Sequence, residues 1–127
     1  LTFKETRVSR NRTRKGHDGK TRNTKNLIVI SDTHCGCRLG LCPSAPVRLD
    51  SGGFYTPSEF QSKMIDLWDE FWTAWVPEVT RGEAFDLVHN GDALDGVHHG
   101  STTQISHNIE DQQRIAEAVL APVVARC

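Results

Sequence analysis

The sequence predicts an α/β fold: a βαβα unit with two parallel strands, preceded by a flexible basic arm. Three observations carry this reading. Two short apolar runs, Leu27-Ile-Val-Ile30 and Phe85-Asp-Leu-Val-His89, each stop abruptly at polar and turn-forming residues. Helical apolar repeats follow each run. The length of 127 residues is room for one domain. A strand, helix, strand order of this kind implies parallel pairing through a right-handed crossover.

Charge divides the chain. Residues 1–26 carry nine Lys and Arg against Glu5 and Asp18, a net +7, while the remainder carries a net −8. The basic segment has too few apolar residues to offset its ordering entropy, so residues 1–26 are expected to form a flexible arm. Such arms often contact nucleic acid, and the same composition also fits a solubilising tail or a linker with no specific partner; both readings are open for this arm. Residues 27–127 are expected to form the folded domain.

The first apolar run is β-branched and short, the pattern of a strand buried on both faces. Residues 36–56 are rich in Gly and Pro with little periodicity and read as a long irregular loop. A helix is then expected with Thr56 as N-cap, Pro57 at its first position and Glu59 completing a capping box. Phe60, Met64, Trp68, Phe71, Trp72 and Trp75 recur at helical spacing and read as a core-facing stripe. Pro77 places the end of that helix near Val76. A last helix is expected from Ser106 or Asn108, with Pro122 kinking or ending it.

The four cysteines exclude a disulfide-rich secreted scaffold, because Cys35, Cys37 and Cys42 crowd into eight residues and only Cys127 lies elsewhere. They read as ordinary loop cysteines. No stretch approaches the ~20 apolar residues needed to span a bilayer. With no leader visible, the expected location is cytoplasmic, with no membrane partner.

In parallel α/β sheets ligands bind beyond the carboxyl ends of the strands. One strand ends in Ser31-Asp32-Thr33-His34 and the other in Asn90-Gly91-Asp92-Ala93-Leu94-Asp95. If the strands are neighbours, Asp32, His34 and Asp92 converge. Residues two apart in an extended turn point the same way, so Asp32 and His34 can chelate one ion. A mixed oxygen and nitrogen set suits Mn, Fe or Zn. Gly91 permits an unusual turn before Asp92.

These two blocks resemble the first two signature blocks of the calcineurin-like metallophosphoesterases, whose pattern is Asp-x-His, then Gly-Asp-x-x-Asp-Arg, then Gly-Asn-His followed by Asp or Glu. The resemblance covers about residues 27–96. It implies the N-terminal half of an αββα sandwich, truncated at the C-terminus. It implies a hydrolase acting on phosphate mono- or diesters (a phosphatase, phosphodiesterase or nuclease) through a metal-bridging hydroxide. Two divalent ions are implied: Asp32 and His34 on the first, Asp92 bridging both, and Asp92 and Asp95 as the catalytic carboxylates. Asp95 is also implied to play a supporting part, holding either an adjacent loop or a histidine ligand.

The sequence departs from the family where Gly96 replaces Arg. No Gly-Asn-His block follows, so the second metal site is expected to be incomplete. Ser106-His107-Asn108 has the wrong order to replace it. His98 and His99 lie beside the expected site. A rival from another class is a non-catalytic nucleic-acid-binding or assembly protein that works through the arm. A third reading is a zinc module built from His34, Cys35, Cys37 and Cys42.

Overall fold

The first apolar run forms a strand, Asn26–Ile30 (β3), and the second forms Phe85–His89 (β6). The two pair in parallel, with Asn26 opposite Phe85 and Ile30 opposite His89. The computed structural model describes residues 25–98 and 100–127, together with the backbone of two short antiparallel strands, Arg14–Lys15 (β1) and Thr21–Arg22 (β2). Apart from those strands and its last two residues, the basic arm lies outside the described residues. No helix among the described residues is long and apolar enough to cross a membrane.

Among the described residues, helices cover one face of this two-stranded sheet. Ile28, Ile30, Phe85 and Leu87 pack with Trp72, Val76 and Val123. Leu27, Val29 and Val88 on the other face are exposed. Burial on both faces of the first strand is therefore corrected: two strands covered on one side leave alternate residues in solvent.

The segment read as an irregular loop contains an antiparallel hairpin, Val47–Arg48 (β4) with Phe54–Tyr55 (β5). The long helix follows as Glu59–Glu70 (α1), a π-helical turn Phe71–Trp75, and Val76–Thr80 (α2). Its N-cap is Ser58, not Thr56, and Gln61 completes the capping box in place of Glu59. Pro57 lies outside the helix. Ser58-Glu-Phe-Gln61 meets the same Ser-x-x-Gln requirement, and only this register brings Gln61 back onto the loop.

Nor does the helix end near Val76. A proline inside a regular helix removes a donor and collides with the carbonyl four residues earlier. The π turn immediately before Pro77 resets that register, with the Val76 N–H reaching the Phe71 carbonyl. The helix closes four residues later on Arg81, which is left-handed at φ 56°.

The wider turn also rearranges the aromatic stripe. Trp72 is buried and edge-on to both Trp68 and Phe71. Trp75, three residues on, falls off the four-residue spacing of Trp68, Trp72 and Val76 and is about half exposed, as is Phe60.

The last helix is Ile109–Val124 (α3), capped by Asn108 and continuing through Pro122. Its inward residues Ile115, Ala116 and Val119 meet Ile65, Leu41, Cys35 and Cys42 in a second core cluster. The cysteines are thus core residues: Cys35, Cys37 and Cys42 are all buried, and none is bonded to another.

Two buried glutamines tie the loops to the helices. From α1, Gln61 donates to the carbonyls of Cys37 and Gly40 and accepts from Tyr55 Oη and the Ser58 N–H. From α3, Gln112 accepts from the Gly96 N–H and donates to the carbonyls of Gly96 and Ser106. Both loops that leave the strands are therefore anchored from beneath. Buried amides satisfied in this way specify one loop conformation.

Candidate metal centre

Beyond the last residues of β3 and β6 the two chains stay hydrogen bonded. The Asn90 N–H donates to Ile30, Asp32 to Gly91, His34 to Asp92 and Cys35 to Ala93, at 2.7 to 3.2 Å. This irregular continuation of the ladder sets the two sequence blocks side by side. Thr33 turns inward: its hydroxyl donates to the Ala93 carbonyl and meets His89 Nε2 at 3.1 Å. Asp32 and His34, on either side of it, face outward.

The result is one cluster. Asp32, His34 and Asp92 each present a ligand atom, and all three atoms lie within 4.8 Å of one another. Both carboxylates are exposed and the imidazole is half-buried. Among the described residues this is the one group of three or more such donors.

The backbone beneath the cluster is unusual. Four described non-glycine residues have positive φ, and three of them are Asp32, His34 and Asp92, at 57°, 42° and 53°. Left-handed backbone costs an L-residue about 1 kcal/mol or more, and such residues gather where function fixes geometry. Gly91, at φ 86°, leads into the last of them. A Cβ there would meet no atom, so the demand for glycine is conformational.

Asp95 stands beneath the cluster rather than in it. Its side chain is almost buried, and one carboxylate oxygen lies 3.2 Å from His34 Nδ1. The other accepts from Gln104 Nε2 at 2.8 Å. A carboxylate only accepts, so the Nδ1–H of His34 donates to it. In the neutral ring this sets the tautomer and puts the lone pair on Nε2, 3.8 Å from Asp32. Orientation of a metal-binding histidine by a buried carboxylate is the usual outer arrangement of such sites. The buried Gln104 Oε1 has no partner among the described residues.

The donor set fits one divalent ion: two carboxylates and a neutral imidazole, preoriented and open to solvent on one side. Among the described residues there is no further group of three such donors. Cys35, Cys37 and Cys42 take no part in any such group. Burial pushes the thiols of Cys35 and Cys42 up to about 11, which keeps both protonated and poor as ligands at neutral pH.

Of the residues singled out from sequence, Asp32, His34, Asp92 and Asp95 come together. His98 lies on the rim, its Nε2 4.0 Å from Asp95. His99 lies outside the described residues, and His107 is exposed. Sequence reasoning missed Thr33, Gln104 and Gln112. Thr33 lay inside the recognised block, whereas the two glutamines carry no motif and are identified only by burial. No family model, no curated protein and no solved structure matches this chain.

Proposed function

We propose that this chain binds a divalent transition-metal ion, Mn, Fe or Zn, through Asp32, His34 and Asp92, and serves as the metal-holding part of a calcineurin-like phosphoesterase. The observation that carries this reading is the convergence of three ligand atoms within 4.8 Å on three left-handed residues. When bound, such an ion polarises a phosphoryl oxygen and acidifies a water molecule. The chain's own residues do the rest. Asp32 and Asp92 supply negative charge from opposite strands. His34 supplies a neutral nitrogen, which Asp95 and Gln104 hold in one tautomer. Solvent exposure of the two carboxylates leaves an approach for a phosphate mono- or diester.

The finer architecture belongs to the same reading. The open sheet face of Leu27, Val29 and Val88 has the apolar character that another layer of an αββα sandwich would cover. The net +7 of residues 1–26 supports a nucleotide or nucleic-acid phosphoester as substrate, because those cations would release counterions on binding.

Metal analysis and titration with Mn test the proposal. The wild-type chain is expected to bind one equivalent, and Asp92→Asn to lose it while keeping its helical signal. Hydrolysis of a chromogenic phosphodiester, dependent on Mn and absent in Asp92→Asn, would extend the result to catalysis. Equal metal binding by wild type and Asp92→Asn would sink the reading. Metal lost only when Cys37 and Cys42 are changed to Ser would favour the zinc module. Salt-sensitive DNA binding without metal would favour the binding protein.

A further inference from the structure

Away from the metal cluster, the long helix carries a second apolar stripe that no described residue covers. Phe60, Leu67, Trp75 and Val79 are each half exposed or more, and the half-buried Phe71 lies between them. Steps of seven, four, four and four residues keep these five side chains on one flank of α1, the π turn and α2. Phe71 and Trp75 stack, with ring centroids 5.1 Å apart and planes at 20°. A contiguous exposed apolar stripe with a polar rim marks an interaction surface. The rim here is acidic. Lys63 is engaged by Glu59 at 2.7 Å, while Asp66, Glu70 and Glu78 are exposed and make no ion pair among the described residues.

Charge decides what the stripe can take. Three free carboxylates repel nucleic acid and an anionic bilayer, and a second copy docked through the same stripe would set acid against acid. A basic segment with a few apolar side chains fits, and this chain has one. Residues 1–13 carry Lys4, Arg7, Arg10 and Arg12 against Glu5, a net +3, together with Leu1, Phe3 and Val8. The segment also starts in the right place. Pairing of Arg14 with Arg22 returns the chain to three residues before Lys25, and Lys25 and Asn26 border the same groove as Val79. From Val79 back to Phe60 the stripe runs about 29 Å at roughly 1.5 Å per helical residue, and thirteen extended residues reach about 43 Å. We propose that residues 1–13 dock in cis along this stripe, with their cations on Asp66, Glu70 and Glu78 and their apolar side chains on Leu67, Phe71 and Trp75. The arm's cations also serve the phosphoester substrate proposed above, so the stripe competes with that substrate for the arm. The stripe shares no residue with the metal cluster, and the docking stands or falls independently of the phosphoesterase reading.

Trypsin cleavage after Arg7 in the full chain tests this, with a synthetic peptide of residues 1–13 as the undocked reference. At low salt the wild-type chain is expected to be cut at least about tenfold more slowly than the peptide, because cleavage follows the undocked fraction. Leu67→Ala combined with Trp75→Ala removes the apolar contact, and Asp66→Asn combined with Glu70→Gln and Glu78→Gln removes the charges. Each variant is expected to be cut within about twofold of the peptide's rate, as is the wild type in about 0.5 M NaCl, where exposed charges are screened. All five positions are exposed, so circular dichroism should show the fold retained. Should the Trp75 variant unfold, the charge variant decides alone. A wild-type chain cut as fast as the peptide overturns the proposal, as does slow cleavage that survives in both variants. Slow cleavage that appears only at higher protein concentration overturns docking in cis and places the segment on a second copy.

Discussion

Asp95 shows how a single residue can control a site it does not enter. Both of its oxygens are occupied, one by His34 Nδ1 and the other by Gln104. In Asp95→Asn the amide can offer N–H where His34 now finds an acceptor, which favours the tautomer whose lone pair faces away from Asp32 and Asp92. Loss of such an outer partner typically weakens metal binding 10–100-fold. Asp95→Asn is therefore expected to raise the Kd for Mn by that factor, with little change in fold. Calorimetric titration against wild type measures it, and an unchanged Kd would remove Asp95 from the site. The sequence made Asp32, His34 and Asp92 legible because short chelating spacings are local. It left open the partner of Asp95, because Asp95 and His34 stand 61 positions apart and are brought together only by the fold.

Among the elements, the loop after β3 is the most constrained. Gly40 passes directly over the carbonyl of His34, and a Cβ there would lie 2.0 Å from that oxygen. The Leu41 N–H meanwhile donates to Thr33, and Gln61 grips the Gly40 carbonyl from below. Backbone pressed between fixed partners cannot yield. Gly40→Ala is expected to cost about 3 kcal/mol, the upper end of the overpacking range. Because the collision falls on His34 itself, metal affinity should drop as well, and denaturant unfolding with a parallel Mn titration follows both. The glycines and prolines of this segment announced a loop but not its anchors. The anchors are side chains on helices that arrive later in the chain. The same limit explains the long helix. Apolar spacing showed that it exists, yet Pro77 misplaced its end, because the π turn that accommodates the proline has no sequence signature of its own.

At the scale of the whole molecule, the two cores respond differently to solution conditions. The cluster beneath the metal loop contains Cys35 and Cys42, whose thiols burial raises from about 9 to about 11. For Cys42 the nearby Cys35 adds to the effect, while a hydrogen bond from Thr33 partly opposes it for Cys35. A raised folded-state value means that the folded protein holds these protons more tightly than the unfolded chain does. Their contribution to stability is complete below about pH 9 and is lost as the pH climbs through about 11. Unfolding midpoints measured across that window should fall for wild type and fall less for Cys35→Ala. A flat profile would mean that the thiols are not desolvated in solution.

The sheet gives the last test, because its two faces make opposite demands. Ile28 and Val29 are neighbours in one strand, yet Ile28 packs on the Trp72 core and Val29 is 57% exposed. Alternation in a strand makes this a comparison of environment at nearly constant backbone. Removing most of Ile28 in Ile28→Ala opens a cavity and should cost about 2 kcal/mol or more. Placing a charge on the open face with Val29→Lys should change stability by no more than about 0.5 kcal/mol if that face is in water. Paired denaturation curves of the two variants measure the difference. If Val29→Lys proves as costly as Ile28→Ala, the open face is covered in solution, and sedimentation of the wild type would reveal whether a second copy covers it. If the asymmetry holds, one layer of helices stabilises the sheet that carries Asp32, His34 and Asp92. The metal cluster then rests on a support that is complete on the side where Gln61 and Gln112 hold its loops.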